Sequence, residues 1–233
     1  TLNSSDFNTP IKNLDIQIES FFEGNIDEIK FKDLKAKSLE NELITDLFFK
    51  FSESLNDSDI ALELKSFDSS TTFLYSLFPE LFGTVIPFAF RNIGKLEMKG
   101  IFTKNDDIIF SNADIKTEFG VIDYDIKMSN LKNINFANYQ GSFNGKSFDL
   151  AKIINLPFEL QSDFNFDING QGFDEENLKS SVVGQMNNVA INSYSYKKII
   201  INGDVSDKLF TGSLIVDDDN LNLNFDGLIN YSN

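Results

Sequence analysis

Three residue types are missing from this chain: its 233 residues contain no cysteine, no histidine and no tryptophan. Without cysteine there is no disulfide framework and no thiol chemistry. Without histidine and cysteine, triads built on those residues and the usual zinc sites are excluded. Positive charge is scarce: 20 Lys and Arg face 36 Asp and Glu, a net charge of −16. Such a surface repels phosphate backbones, which argues against nucleic acid as a partner. An anionic bilayer surface is unfavourable for the chain as a whole. The lack of cysteine suits a bacterial envelope protein and a cytosolic one equally.

Several motifs are also missing. There is no P-loop and no G-x-G-x-x-G that opens a helix. Gly170-Gln171-Gly172 leads instead into an acidic turn. No signal peptide and no stretch that reads as a membrane span is present. The chain begins at Thr1 without an initiator Met and stops at Asn233 in mid-pattern, so it is read as a piece of something longer. Asp217, Asp218, Asp219 and Asn220 offer oxygen ligands of the kind calcium takes, without the spacing of an EF-hand loop. They read as a solvated hairpin turn, as do Asn105, Asp106 and Asp107. Paired carboxylates for glycoside hydrolysis need a cleft that raises one pKa, and nothing marks one acidic pair out from the others.

What is present is phenylalanine, 25 of them, set in a period of two. Leu221, Leu223 and Phe225 share one side of a strand, with Asn222, Asn224 and Asp226 on the other. The same alternation places Leu14, Ile16 and Ile18 together, then Leu47, Phe49 and Phe51, then Ile60, Leu62 and Leu64. Ala113, Ile115, Thr117 and Phe119 form another strand, and after Gly120 the register restarts with Ile122, Tyr124, Ile126 and Met128. Phe164, Phe166 and Ile168 alternate with Asp163, Asn165, Asp167 and Asn169. Gly, Asn and Asp clusters separate these runs, as turns require.

A second regularity is an apolar residue, any residue, then glycine. It occurs at Met98–Gly100, Tyr139–Gly141, Phe143–Gly145, Ile168–Gly170, Val182–Gly184, Ile201–Gly203, Phe210–Gly212 and Phe225–Gly227. Within a strand each glycine then follows an apolar side chain on the same face, where it leaves a gap, permits a bend or admits another backbone. The recurrence predicts a repeated bend in a long sheet.

Two segments break the strand pattern. Residues 69 to 90 are the longest apolar run, interrupted by Pro79, Glu80, Gly83 and Pro87, so no membrane-spanning helix is expected there. A short helix from about Thr71 to Leu81 is predicted, capped by Ser69 or Ser70, with Phe73, Leu74, Leu77, Phe78 and Leu81 as its apolar stripe. Its plain role is to cap the sheet, and the alternative is a membrane-surface or partner-docking element. Residues 146 to 157 predict one or two helical turns between Asp149 and Pro157.

Three architectures would cover the apolar faces: a sandwich, a barrel, or an open curved sheet whose apolar face is a groove. An outer-membrane barrel wants strands of 9 to 11 residues, and most runs look shorter, which ranks it last. The linear pattern favours the open sheet. About fourteen strands at ~4.8 Å spacing give a groove roughly 70 Å long.

The segment Tyr139 to Asn233 resembles the repeat-rich region of TamB-like proteins of Bacteroidota, within the AsmA-like superfamily. The likeness is carried by the order and spacing of Tyr139-Gln-Gly141, Phe148-Asp-Leu150, Asn169-Gly170-Gln171-Gly172-Phe173, Tyr194-Ser-Tyr196, Asn202-Gly203 and Phe210-Thr-Gly212. SLFPELFGTVIPFAFRNIGKLEMKGIF and IKTEFGVIDYDIKM upstream share it. It covers residues 67–233 well and residues 1–66 less. Ala151 stands where the pattern expects glycine.

The resemblance implies an all-β, long curved, U-shaped (β-taco or solenoid-like) sheet with a hydrophobic groove and one or two short helices. It implies a periplasmic part of an inner-membrane-anchored envelope protein, with the anchor outside this stretch. Phospholipid acyl chains would occupy the groove, and an outer-membrane barrel protein would be the partner in outer-membrane protein assembly. It brings no catalytic residues, metal or cofactor. Groove candidates are Ile115, Phe119, Tyr124, Ile126, Phe164, Phe166, Ile168, Leu221, Leu223 and Phe225. If the sheet is a sandwich, the same residues are plain core. The alternatives are a structural or adhesive β-repeat protein with a dry core, or a glycan-binding β-sandwich.

Overall fold

The computed structural model describes residues 2–3, 15–52, 58–77, 93–131, 133–154, 157–173 and 177–230. Among them fourteen strands and two short helices are found, and the chain divides into two units, Thr1–Glu118 and Phe119–Asn233. The all-β class expected from the alternation is therefore found in both.

In the first unit the strands are β1 (Leu2–Asn3), β2 (Asp15–Gly24), β3 (Glu28–Ser38), β4 (Asn41–Lys50), β5 (Asp59–Ser70), β6 (Lys95–Asn105) and β7 (Ile108–Thr117). Helix α1 (Thr71–Leu77) follows β5 and packs on it. In the second unit they are β8 (Gly120–Ser129), β9 (Asn138–Asp149), β10 (Leu160–Gln171), β11 (Lys179–Ile191), β12 (Tyr194–Ser206), β13 (Leu209–Asp217) and β14 (Asn222–Asn230). Helix α2 (Leu150–Ile154) follows β9 and packs on β10. Within each unit every strand pairs antiparallel with its neighbour in sequence, and the first and last strands do not pair, so each sheet is open. Antiparallel pairing of sequence neighbours makes each sheet a meander.

The strands are longer than the alternating runs suggest. Apart from β1 they extend from 9 residues in β13 and β14 to 13 in β11 and β12. Length therefore does not count against a barrel as the sequence reading held; the open strand order does. Alternation undercounts strand length because bulges reset its phase. Register shifts interrupt the pairing of β2–β3, β3–β4, β4–β5 and β5–β6, and again of β9–β10 and β10–β11. Aligned across neighbouring strands, these bulges form a crease in each sheet, because a bulged strand bends.

A bulge leaves backbone groups without ladder partners, and buried ones must be satisfied. In β4, Thr45 turns its hydroxyl to the carbonyls of Asp46 (3.0 Å) and Glu63 (2.9 Å). In β10, Ser162 does the same with Asp163 (2.7 Å) and Asn187 (3.0 Å). Ser20 repeats it in β2, to Phe21 at 3.1 Å and Lys32 at 3.3 Å. Thr45 and Ser162 are 2% and 1% exposed, so their hydroxyls serve the crease rather than water.

Helix starts follow from capping. The backbone N–H of Phe73 donates to Ser70 Oγ at 3.1 Å, so Ser70, rather than Ser69, caps α1. The Lys152 N–H donates to Asp149 Oδ1 at 3.3 Å at the start of α2. α1 is described to Leu77; the rest of the expected helix, Phe78 to Leu81, lies outside the described residues, as do Gly83 and Pro87 beyond it.

Thr45→Val keeps shape and Ser162→Ala adds no bulk, and both remove the shared donor. Each is expected to destabilise by ~1–3 kcal/mol, the cost of leaving buried carbonyls unpaired. Urea unfolding checks this, with Ser129→Val at a half-buried β8 position as a milder control.

Candidate functional site: the apolar face of the second unit

Register fixes which side chains share a face, because directly paired residues point the same way. One row across the second unit runs Tyr124, Phe143, Phe166, Gly184, Ile201, Leu214 and Phe225. The next runs Ile126, Gly141, Ile168, Val182, Gly203, Gly212 and Gly227. A third runs Ile122, Gly145, Phe164, Met186, Ile199, Val216 and Leu223. The opposite face carries Asp123, Asn144, Asn165, Gln185 and Asn224, with Ile200 and Ile215 among them.

The apolar–x–glycine pairs acquire a different meaning here. The sequence reading offered a gap, a bend or the close approach of another backbone; Gly100, Gly141 and Gly170 do lie against a neighbouring strand's backbone, and several of the other glycines seat aromatic rings. A Cβ on Gly145 would lie 2.2 Å from a Phe164 ring carbon, one on Gly184 2.5 Å from Phe166, and one on Gly203 2.7 Å from Phe210. Each ring lies down over a neighbouring strand's glycine, where any side chain would displace it. The rings also meet one another. Phe164 stacks on Phe166 at 5.5 Å and meets Phe148 edge-on at 5.9 Å, and Tyr124 stacks on Phe143 at 6.1 Å.

Burial varies along this face. At one end Phe148, Ala151, Phe164 and Val189 close up, with Val189 fully buried. At the other end Ala137 and Tyr139 are buried, with Phe173 against Tyr139 at 4.9 Å. Between these ends Tyr124, Ile126, Phe143, Phe166, Ile168, Ile201 and Leu214 are only half-buried. A residue packed between two sheets loses nearly all its exposure; these do not.

The groove candidates divide accordingly. Tyr124, Ile126, Phe164, Phe166, Ile168, Leu223 and Phe225 share this face. Leu221 precedes β14 in the turn, is 41% exposed, and accepts the Asp218 N–H through its carbonyl at 3.2 Å. Phe119 does not continue β7, which ends at Thr117. It sits in the turn before β8, its carbonyl accepting the Asp149 N–H at 2.7 Å and its ring 5.1 Å from Lys152 Nζ. Ile115 belongs to β7 in the first unit, opposite Met98. There a comparable apolar row runs Phe31, Leu47, Leu62 and Phe102. Ile199, Ile201 and Met186 were not anticipated: the Ile199-Ile200-Ile201 run hides which residues face which way, and only pairing resolves it.

The acidic turn at 217–220 is partly solvated, but Asp218 is buried and structural. It accepts from the Tyr194 hydroxyl, and from the N–H groups of Lys197 and Asn220 at 3.0 Å each. These bonds, Tyr194's first, hold the Asp218 carboxyl below the usual carboxylate range, and Asp218 in turn pushes the Tyr194 hydroxyl up. Among the described residues no group of three or more acidic side chains is arranged to hold a metal ion, and no helix is long and apolar enough to cross a membrane. Comparison with protein-family models, curated proteins and solved structures finds no match.

Gly145→Ala is expected to push the Phe164 ring out of its seat and cost ~1–3 kcal/mol, the usual range for overpacking. Combining it with Phe164→Leu tests the cause. A seat predicts that the double mutant costs less than the sum of the two single mutants by urea unfolding.

Proposed function

We propose that this chain is a non-enzymatic segment of a TamB-like envelope protein, and that the apolar face of its second unit is a groove for phospholipid acyl chains travelling between inner and outer membrane. The observation that carries the reading is the half-buried middle of that face: several strands wide and lined by Phe, Tyr, Ile and Leu. Contiguous apolar surface that keeps part of its exposure is the kind that marks an interaction site. Each methylene of a bound acyl chain contributes about 0.8 kcal/mol on burial, without directional bonds. A chain held that way is free to slide along its axis. Rings lying flat on glycines keep the floor low, so an acyl chain need not climb over upright side chains. The polar opposite face, rich in Asn and Asp, keeps the sheet in water while head groups remain at the open side.

The resemblance of residues 67–233 to TamB-like repeats supports the envelope setting. It also supports an outer-membrane barrel partner, in whose assembly role the same groove would take part. The dry structural repeat is the competing reading, favoured by the closed packing of Phe148, Ala151 and Val189 at one end of the face.

Mass spectrometry of organic extracts from the chain expressed in a bacterial envelope tests the proposal. Stoichiometric phospholipid, lost in Phe166→Asp, is the expected result. A folded, lipid-free wild-type protein overturns it and leaves the dry repeat.

A further inference from the structure

The two creases share a second feature, on the polar side of the sheet. In each, the residue after the bulge hydroxyl is an aspartate: Asp46 follows Thr45 and Asp163 follows Ser162. In each, the preceding strand contributes a residue with left-handed backbone, Asp33 (φ 50°) in β3 and Ser147 (φ 49°) in β9. The N–H of that residue donates to the aspartate at 2.7 Å in both cases, Asp33 to Asp46 and Ser147 to Asp163. In each, the following strand contributes a side-chain donor. Lys65 Nζ lies 2.6 Å from Asp46, and Asn188 Nδ2 lies 3.0 Å from Asp163. A hydroxyl therefore satisfies the crease's carbonyls from the apolar side while the next residue's carboxylate satisfies its N–H from the polar side. Left-handed backbone costs a non-glycine residue ~1 kcal/mol or more and persists only where its surroundings hold it.

We propose that Asp46 and Asp163 are latches that hold the crease in each unit, and that protonation releases them. The carboxylate is the acceptor common to both neighbouring strands, so its neutral form weakens both ties at once. The groups facing it are few. Asp46 meets Lys32 and Asp33 from β3, and Lys65 and its pairing partner Glu63 from β5. Asp163 meets Lys146 and Ser147 from β9, and Asn188 from β11. Lys65 bridges Asp46 and Asp33, 2.7 Å from the latter, and its ammonium is held charged far above neutral pH. The bond from Lys65 holds the Asp46 carboxyl below the usual carboxylate range, and the Ser147 N–H does the same for Asp163. Carboxylates depressed in this way contribute stability that is present above the ordinary carboxylate pKa and lost as pH falls through the lowered folded value.

Amide hydrogen exchange, corrected for the intrinsic pH dependence, reads the latch directly. In Asp163→Ala the Ser147 amide is expected to lose about tenfold in protection, the scale of one charge-assisted hydrogen bond. Asp167→Ala, on the same strand and face, leaves it unchanged. In the wild type, acidification from neutral pH to pH 3 lowers protection at Ser147 and Asp33 before it lowers protection at the centres of β12 and β13. Unchanged protection at Ser147 in Asp163→Ala overturns the proposal. So does an acid-induced loss that is uniform across all strands, which would mark global unfolding; this second measurement holds even if the variant does not fold.

Discussion

Everything in this molecule depends on strand register. A sheet with one apolar and one polar face tolerates no slip, because moving a strand by one residue exchanges its two faces. Here the pairing from β8 to β14 places Phe166, Ile201, Leu214 and Phe225 on one line and Gln185 and Asn224 on the line behind. The glycine seats reinforce that choice. Phe164 fits over Gly145 in the observed register, and a strand shifted by one or two residues would set the ring against a residue with a side chain. Each seat is at once a packing contact and a register key.

Bulges threaten the same order, and the crease residues contain the damage. Every extra residue in a strand resets the phase of its alternation and leaves carbonyls and N–H groups unpaired. Thr45 and Ser162 answer from the apolar side, Asp46 and Asp163 from the polar side. No buried side-chain polar atom among the described residues lacks a partner. The register shifts are thus accommodated without leaving a buried polar side-chain atom unpaired among the described residues. An apolar face that is half-buried in its middle, yet closed at Phe148 and Val189, is the product of that bending together with the packing of α2.

On the proposed groove reading a surface is used and no bond is made or broken. Affinity for an acyl chain grows with contact length rather than with any one side chain, so function would be spread over many residues. A composition rich in phenylalanine, asparagine and aspartate is compatible with that proposal.

The sequence by itself determined the fold class and, in most strands, which apolar side chains share a face. Period-two alternation in Phe164, Phe166 and Ile168 has one physical reading, a strand wet on one side, and the structure places all three on the apolar face. Sequence also marked the helix starts, since Ser70 and Asp149 are capping residues before apolar turns. Only the tertiary structure decided the rest. Phe119 and Leu221 continue an alternation but fall beyond the end of one strand and before the start of another, because hydrogen bonding rather than pattern ends a strand. Ile199, Ile200 and Ile201 have no alternation to read, and their facing is set by β11 and β13. Thr45-Asp46 and Ser162-Asp163 are common dipeptides in such a chain. They become a crease only when the neighbouring strands bring Asp33 and Lys65, or Ser147 and Asn188, to meet them. A local pattern records which way side chains want to point; which strand lies alongside, and in what register, is a non-local fact that pairing alone supplies.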